Sequence, residues 1–254
     1  LFNQINLSDF FMKRRNKLLI AILISIIALI LVVIAGQMFF DHGGDLTQGE
    51  KKILVCAVDQ TEERPGMGAV DMAYIITLEN GSVSHYTPIY PHGMRHPTKN
   101  EPTEALNTGA RDNGGKMLLH DALWYNDTDE GVQNVKEIVE YNKSVKLDAV
   151  VLVNVEAADA IVKSAGPLEI NGTPTVVNVL DFVREDQHQN NNTRGQAIIT
   201  VVEGLSNAVQ DPATRNTMMQ MAITQYNKGN IVVWPKGSFI QLLYTKGFNS
   251  IVNN

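Results

Sequence analysis

The longest apolar run of the chain begins at Leu18. Every residue from there to Ala35 is apolar except Ser25, and with Gln37 as the one further polar side chain the run reaches Phe40. About 18 apolar residues suffice to cross a bilayer as a helix. The run is apolar on every face, and no second run of this length exists to pack around it, which argues against a buried core helix. One transmembrane helix over residues 18–40 is therefore expected. The rival reading is a cleaved signal peptide with Val33-Ile34-Ala35 as its small-residue site. The apolar core of such a peptide spans about 7–15 residues, shorter than this run.

After a polar, Gly-containing linker at residues 41–50 the pattern changes period. Ile53 to Val58 and Leu147 to Val155 are short continuous apolar runs and predict buried strands. Asp71 to Leu78 and Ser82 to Ile89 predict a hairpin over Asn80-Gly81. Pro91 to Pro102 carries three prolines and reads as a loop. Lys116 to Trp124 and Asp129 to Tyr141 read as helices, the second with Val132, Val135, Ile138 and Val139 on one face. Glu156 to Ala165 predicts a helix closed by Gly166. A small hairpin is expected over Asn171-Gly172, and helices over Asn178 to Glu185 and Arg194 to Val209. Asp211-Pro212 is an N-cap followed by a first-turn proline and starts a helix to Tyr226. Ile231 to Trp234 predicts a late strand, and Ser238 caps a last helix ending at Gly247. Strands and helices interleave, so the expected fold is α/β: a layered α-β-α sandwich with a mixed central sheet, preceded by one N-terminal transmembrane helix.

Charge orients this arrangement. The chain has 254 residues, 44% of them hydrophobic and 19% charged, with a formal net charge of −6. That balance belongs to a globular protein. The charge splits at the apolar run. Residues 1–17 carry Lys13, Arg14, Arg15 and Lys17 against Asp9, a net of +3, and residues 41–254 hold the remaining 17 bases and 26 acids, a net of −9. The positive-inside rule then predicts a cytoplasmic tail at 1–17, a membrane-embedded anchor at 18–40 and an extracytoplasmic domain at 51–254. This excludes a simple soluble enzyme, and the acidic domain excludes a nucleic-acid binder of the basic type. The single cysteine, Cys56, excludes a disulfide scaffold and reads as a small buried hydrophobe. On the expected outer side, Asn-x-Ser/Thr sequons begin at Asn80, Asn126, Asn142, Asn171 and Asn191.

Candidate chemistry concentrates between Val58 and Asp71. Asp59 ends a predicted central strand, where open α/β sheets place ligands. A Gly-containing loop with Arg64 follows, and Asp71 opens the next strand. Two carboxylates can share a divalent cation, and arginine can pair with phosphate oxygens. His92 and His96 in PHGMRHP invite a zinc reading, but flanking prolines deny them helical geometry, and a solvated loop is the better description. Met218, Met219 and Met221 could line a lipid-tail pocket; core packing is the plainer reading. Gly195 after Arg194 marks a helix start that could receive an anion. No nucleophile elbow, Walker loop or dinucleotide fingerprint is present.

With Asp59, Arg64 and Asp71 in this order, the domain resembles the LytR-CpsA-Psr family, and more closely a related membrane-anchored domain family of unknown function. Leu147 to Gly172 (LDAVVLVNVEAADAIVKSAGPLEING) is similar to the family's strand–helix–Gly-Gly-Val segment. DFVRED with Arg184, and TRGQAI with Arg194 and Gln196, look like its late Arg-containing helix starts. The resemblance implies transfer of a glycopolymer from a polyprenyl-pyrophosphate lipid in the membrane bilayer to a cell-wall or surface acceptor. It implies catalytic roles for Asp59, Asp71 and Arg64, with Mg2+ held by Asp59 and Asp71. It implies phosphate binding by Arg184, Arg194, Gln196 and Arg95. Three family arginine positions depart: Ala69-Val70 stands at one, His92 at another and Asp186 at the third. Neither Ala nor His replaces the bidentate fork of an arginine. The alternative expectation is a non-catalytic envelope binding or scaffolding protein on the same fold.

Overall fold

The computed structural model describes residues 45–62, 64–106, 115–170, 172–179, 181–182, 200–201, 204–205 and 207–236. The expected cytoplasmic tail, transmembrane helix and last helix lie outside them, as do Arg184, Arg194, Gln196 and Gly195. Among the described residues no helix is long and apolar enough to cross a membrane.

Five strands form the central sheet: β1 (Glu50–Asp59), β2 (Ala69–Glu79), β3 (Ser82–Ile89), β6 (Ala149–Asn154) and β9 (Ile231–Trp234), in the order β3-β2-β1-β6-β9. The β1–β6 pair is parallel and the other neighbours are antiparallel, so the sheet is mixed as the interleaved pattern predicts. β1 and β6 are continuous apolar runs because both their faces are covered. Ile53 and Val55 with Val151 and Val153 face one core. Leu54, Cys56 and Val58 with Val150 and Leu152 face the other.

The second of these cores is closed by α2 (Thr128–Lys143). Its Val132, Val135, Ile138 and Val139 are all buried against the sheet, the stripe that the 3.6-residue period marks. The first is closed by α3 (Val155–Ser164) and α4 (Pro212–Asn227), with Ile161, Val162, Met218 and Ala222 buried. Met218 is therefore core, and burial pushes the Cys56 thiol far above its ordinary value and leaves it inert.

Local signals act where they were expected. Asn80 and Gly81 take left-handed φ of 49° and 82°, closing the β2–β3 hairpin. Between β6 and α3 the sequence pattern marks no cap; there the Asn154 side chain accepts from Ala157 N at 2.9 Å and turns the strand directly into the helix. Asp211 accepts from Thr214 N at 2.7 Å ahead of Pro212. A small hairpin of β7 (Leu168–Ile170) and β8 (Thr173–Thr175) follows α3.

Three expectations fail between Pro91 and Trp124. The proline-rich segment contains strand β4 (Arg95–Asn100), which pairs with β5 (Lys116–Leu118) in a separate two-stranded sheet. Pro97 is tolerated because this strand has a single neighbour. The segment expected as one helix over 116–124 is instead β5 followed by a 3₁₀ turn, Leu119–Asp121. Its apolar residues are buried by docking under the β1–β2 loop rather than along a helix face. A one-turn helix, α1 (Thr103–Leu106), lies between β4 and β5. His96 is also corrected: it is buried rather than solvated. Its Nδ1 accepts from the backbone N–H groups of Thr98 and Lys99 at 3.1 and 3.0 Å. Its Nε2 lies 2.8 Å from Glu137 Oε2, and burial lowers the pKa of the ring, which favours the neutral imidazole. His92 is exposed.

Candidate functional site

The loop leaving β1 forms an open cleft of about 580 Å³, lined by Gln60, Glu62, Arg64, Pro65, Gly66, Met67 and Gly68. It sits at the carboxyl end of the central parallel strand, where open α/β sheets bind ligands. A bulge between Ala57 and Val58 shifts the β1–β2 register just before it. Asp59 Oδ1 then accepts from Thr61 N at 2.7 Å and bends the chain out of the sheet.

Two glycines allow the loop to lie flat against its neighbours. Gly66 N donates to Trp124 O at 2.8 Å. A Cβ there would stand 2.2 Å from the Leu123 carbonyl oxygen and 2.3 Å from that of Tyr125. Gly68 has φ +127°, and its Cβ would meet the Asp59 carbonyl oxygen at 2.4 Å. The loop is thus keyed to the 119–125 segment, which is held in turn by α2. Asn134 Nδ2 donates to Ala122 O at 3.3 Å from the buried face of that helix.

Arg64 points into this seam. Its side chain is 6% exposed, and Nη2 lies 2.7 Å from Oδ1 of the equally buried Asp121. Nη2 also donates to Glu62 Oε2 at 3.0 Å, and Nη1 donates to the His120 carbonyl at 3.3 Å. The guanidinium stands 5.2 Å from the centre of the Trp124 ring. An arginine so paired and stacked has most of its donors committed inside the protein.

At the rim, Glu62, Asp71 and His120 each offer one donor atom, all within 4.8 Å of one another. His120 Nε2 faces Glu62 Oε1 at 3.4 Å and Asp71 Oδ1 at 3.9 Å. Its Nδ1 has two neighbours, Asp121 Oδ1 at 3.3 Å and Arg64 Nη2 at 3.1 Å. As an N–H it donates to Asp121; as a bare nitrogen it accepts from Arg64. The Asp121 carboxylate is the main influence on the imidazole and raises its pKa, which favours the protonated ring.

Arg95 occupies a different place. It lies on β4 and donates from Nη1 to Lys116 O at 2.5 Å, with Glu101 Oε1 at 4.0 Å. Glu101 Oε1 accepts from Leu118 N at 2.9 Å, while its Oε2 and Arg95 Nε find no hydrogen-bond partner among the described residues. Burial pushes the Glu101 carboxyl up to about 7.

Of the residues singled out in the sequence, the structure brings Arg64 and Asp71 to the two sides of His120. It places Asp59 at the base of the loop and Arg95 in the β4–β5 sheet. Glu62, His120, Asp121 and Glu101 were missed. The signal that could have found two of them is the His120-Asp121 dipeptide just ahead of Trp124, a polar pair inside an otherwise apolar stretch. The Mg2+ that the motifs imply takes oxygen ligands in a near-octahedral shell. Here Asp59 is committed to its own loop, and the neighbours of Asp71 include an imidazole. That mixed oxygen–nitrogen set fits Mg2+ poorly.

Solved structures align with parts of this chain. Protein gbs0355 from Streptococcus agalactiae aligns with a TM-score of 0.51 at 12% identity, over 80% of this chain and 74% of that one. A LytR-Csp2A-Psr enzyme from Actinomyces oris aligns with a TM-score of 0.48 at 14% identity, over 82% of this chain and 78% of that one. B. subtilis TagV does so with a TM-score of 0.48 at 14% identity, over 81% of each. No protein of curated function matches the chain. The family model described as "Protein of unknown function (DUF4012)" matches residues 48–188, more than half of the sequence, and the chain belongs to that family.

Proposed function

We propose that the chain is a cell-envelope protein that binds a polyprenyl-(pyro)phosphate-linked glycopolymer and does not transfer it. In this reading residues 18–40 anchor it in the cell membrane, and the α/β domain stands on the extracytoplasmic side. The lipid-linked polymer as ligand rests on the resemblance of motifs to the LytR-CpsA-Psr family. The position of the cleft at the end of β1 supports a ligand site there.

The observation that favours binding without transfer is the commitment of Arg64. Breaking a pyrophosphate bond develops charge on the departing phosphate, and catalysis depends on cations aimed at it. Arg64 is the cation among the described lining residues, and Asp121 already holds its guanidinium at 2.7 Å. One observation favours the second reading, glycopolymer transfer: Asp71 and His120 meet at the mouth of the cleft, where a carboxylate–imidazole pair could accept the proton of an acceptor hydroxyl.

The test uses full-length protein in vesicles containing a polyprenyl-pyrophosphate oligosaccharide, with cell-wall acceptor added. The expected result is saturable retention of the lipid with no release of polyprenyl phosphate above protein-free vesicles. Release that depends on the protein and is abolished by Asp71→Asn establishes the transferase instead. Failure to retain the lipid refutes the ligand.

A further inference from the structure

We propose that Glu62, Asp71 and His120 form a binding site for a divalent transition metal of the Zn2+ or Co2+ kind, distinct in chemistry from an all-oxygen Mg2+ site. This assignment does not depend on the lipid-linked reading above.

Three separate elements supply the donors. Glu62 comes from the β1–β2 loop, Asp71 from β2, and His120 from the 3₁₀ turn after β5. Their donor atoms lie within 4.8 Å of one another. In a tetrahedral site with bonds near 2.0–2.2 Å the donor-to-donor edges are about 3.5 Å. Glu62 Oε1 already faces His120 at 3.4 Å, and rotation of this half-exposed side chain about its hydrogen bond to Arg64 closes the remaining difference. The rim is open to solvent, so an ion can enter and a water can complete the shell.

The surroundings of His120 point the same way. A metal-binding histidine typically donates its second ring N–H to a carboxylate, which fixes the tautomer and turns the other nitrogen to the ion. Asp121 Oδ1 lies 3.3 Å from Nδ1, and Nε2 is the nitrogen that faces Glu62 and Asp71. Asp121 is itself buried and held by Arg64, so it is a fixed support rather than a surface carboxylate. Two carboxylates and one imidazole suit the borderline ions of the first transition row. The Arg64 guanidinium lies behind His120 and is neutralised by Asp121, which limits its repulsion of an incoming cation.

The experiment is titration of metal-stripped, full-length protein with Co2+, read by visible absorption and by calorimetry, with Zn2+ as competitor. One equivalent is expected to bind with the absorption of a nitrogen-containing, low-coordinate site. Zn2+ is expected to displace it, and Mg2+ in hundredfold excess is expected not to. His120→Gln should weaken Co2+ binding at least tenfold while the protein melts as a folded domain. If His120→Gln does not fold, Glu62→Gln replaces it, because Glu62 stands on the exposed edge of the loop. The proposal is overturned if Co2+ fails to bind, if neither variant weakens its binding, or if Mg2+ displaces it at equal concentration.

Discussion

Arg64 and Arg95 look alike in the sequence, each a basic residue close to a proline and each a candidate for phosphate. The fold treats them differently. Arg64 meets a buried aspartate at 2.7 Å, a carbonyl and an aromatic face, so its charge is matched inside the seam between the β1–β2 loop and the 119–125 segment. Arg95 meets a glutamate at 4.0 Å whose second oxygen has no hydrogen-bond partner among the described residues and whose proton affinity is raised. The first pair is a fixed joint, and the second is a buried carboxyl that its arginine only partly compensates. What separates them is the partner's geometry, because a buried charge pair stabilises only when the distances are short and the remaining donors are used.

The largest expected effect comes from breaking the first pair. Arg64→Ala leaves Asp121 buried without its cation and should cost about 3–5 kcal/mol, read by chemical denaturation. A loss below about 1 kcal/mol would mean that the joint is not formed in solution.

The second pair is expected to show itself through pH. The Glu101 carboxyl has a folded pKa of about 7 against an ordinary 4.5, so the folded state holds its proton more tightly. Its contribution to stability is full below pH 4.5 and falls as pH rises toward 7, because the unfolded chain binds fewer protons in that window. Glu101→Gln removes this slope. Relative to the native protein, the variant should gain about 1–3 kcal/mol between pH 4.5 and 7.5 in urea melts at stepped pH. A constant difference across that range would show that Glu101 ionises normally. His120 has its pKa raised as well, and its contribution is lost as pH rises past 6.5 through the folded value, so it cancels in the comparison.

Arg95→Met is the smallest effect of the three. It removes the bond to Lys116 O and a weak ion pair, for about 1 kcal/mol. It also leaves Glu101 still harder to ionise, since Arg95 acts to lower that carboxyl. A cost equal to that of Arg64→Ala would erase the distinction between the two arginines.

The sequence made the scaffold legible and left half of the site hidden. β1 and β6 read as continuous apolar runs because the sheet is covered on both faces, and the stripe on α2 predicted the helix that covers one of them. Asn80-Gly81 and Asp211-Pro212 act through bonds to near neighbours, so local residues sufficed to place them. The 116–124 segment has no such local signal. Its Met117, Leu119, Ala122 and Leu123 are buried by a loop more than fifty positions earlier in the chain, keyed through Gly66 to the Leu123, Trp124 and Tyr125 carbonyls. A helix was the natural reading of that apolar content, and it concealed that His120 and Asp121 meet Arg64. The partner of Arg64 was therefore a matter of tertiary docking, which no window of the sequence contains.

The central claim is that Arg64 serves as an internal joint and not as a phosphate ligand. A double-mutant cycle of Arg64→Met and Asp121→Asn, measured by denaturant unfolding of the full chain, tests it most directly. The account predicts strong coupling, about 1.5–3 kcal/mol, with the double variant more stable than the sum of the single losses implies. Coupling near zero, together with weaker retention of polyprenyl-pyrophosphate lipid by Arg64→Met alone, would contradict it and return Arg64 to the ligand.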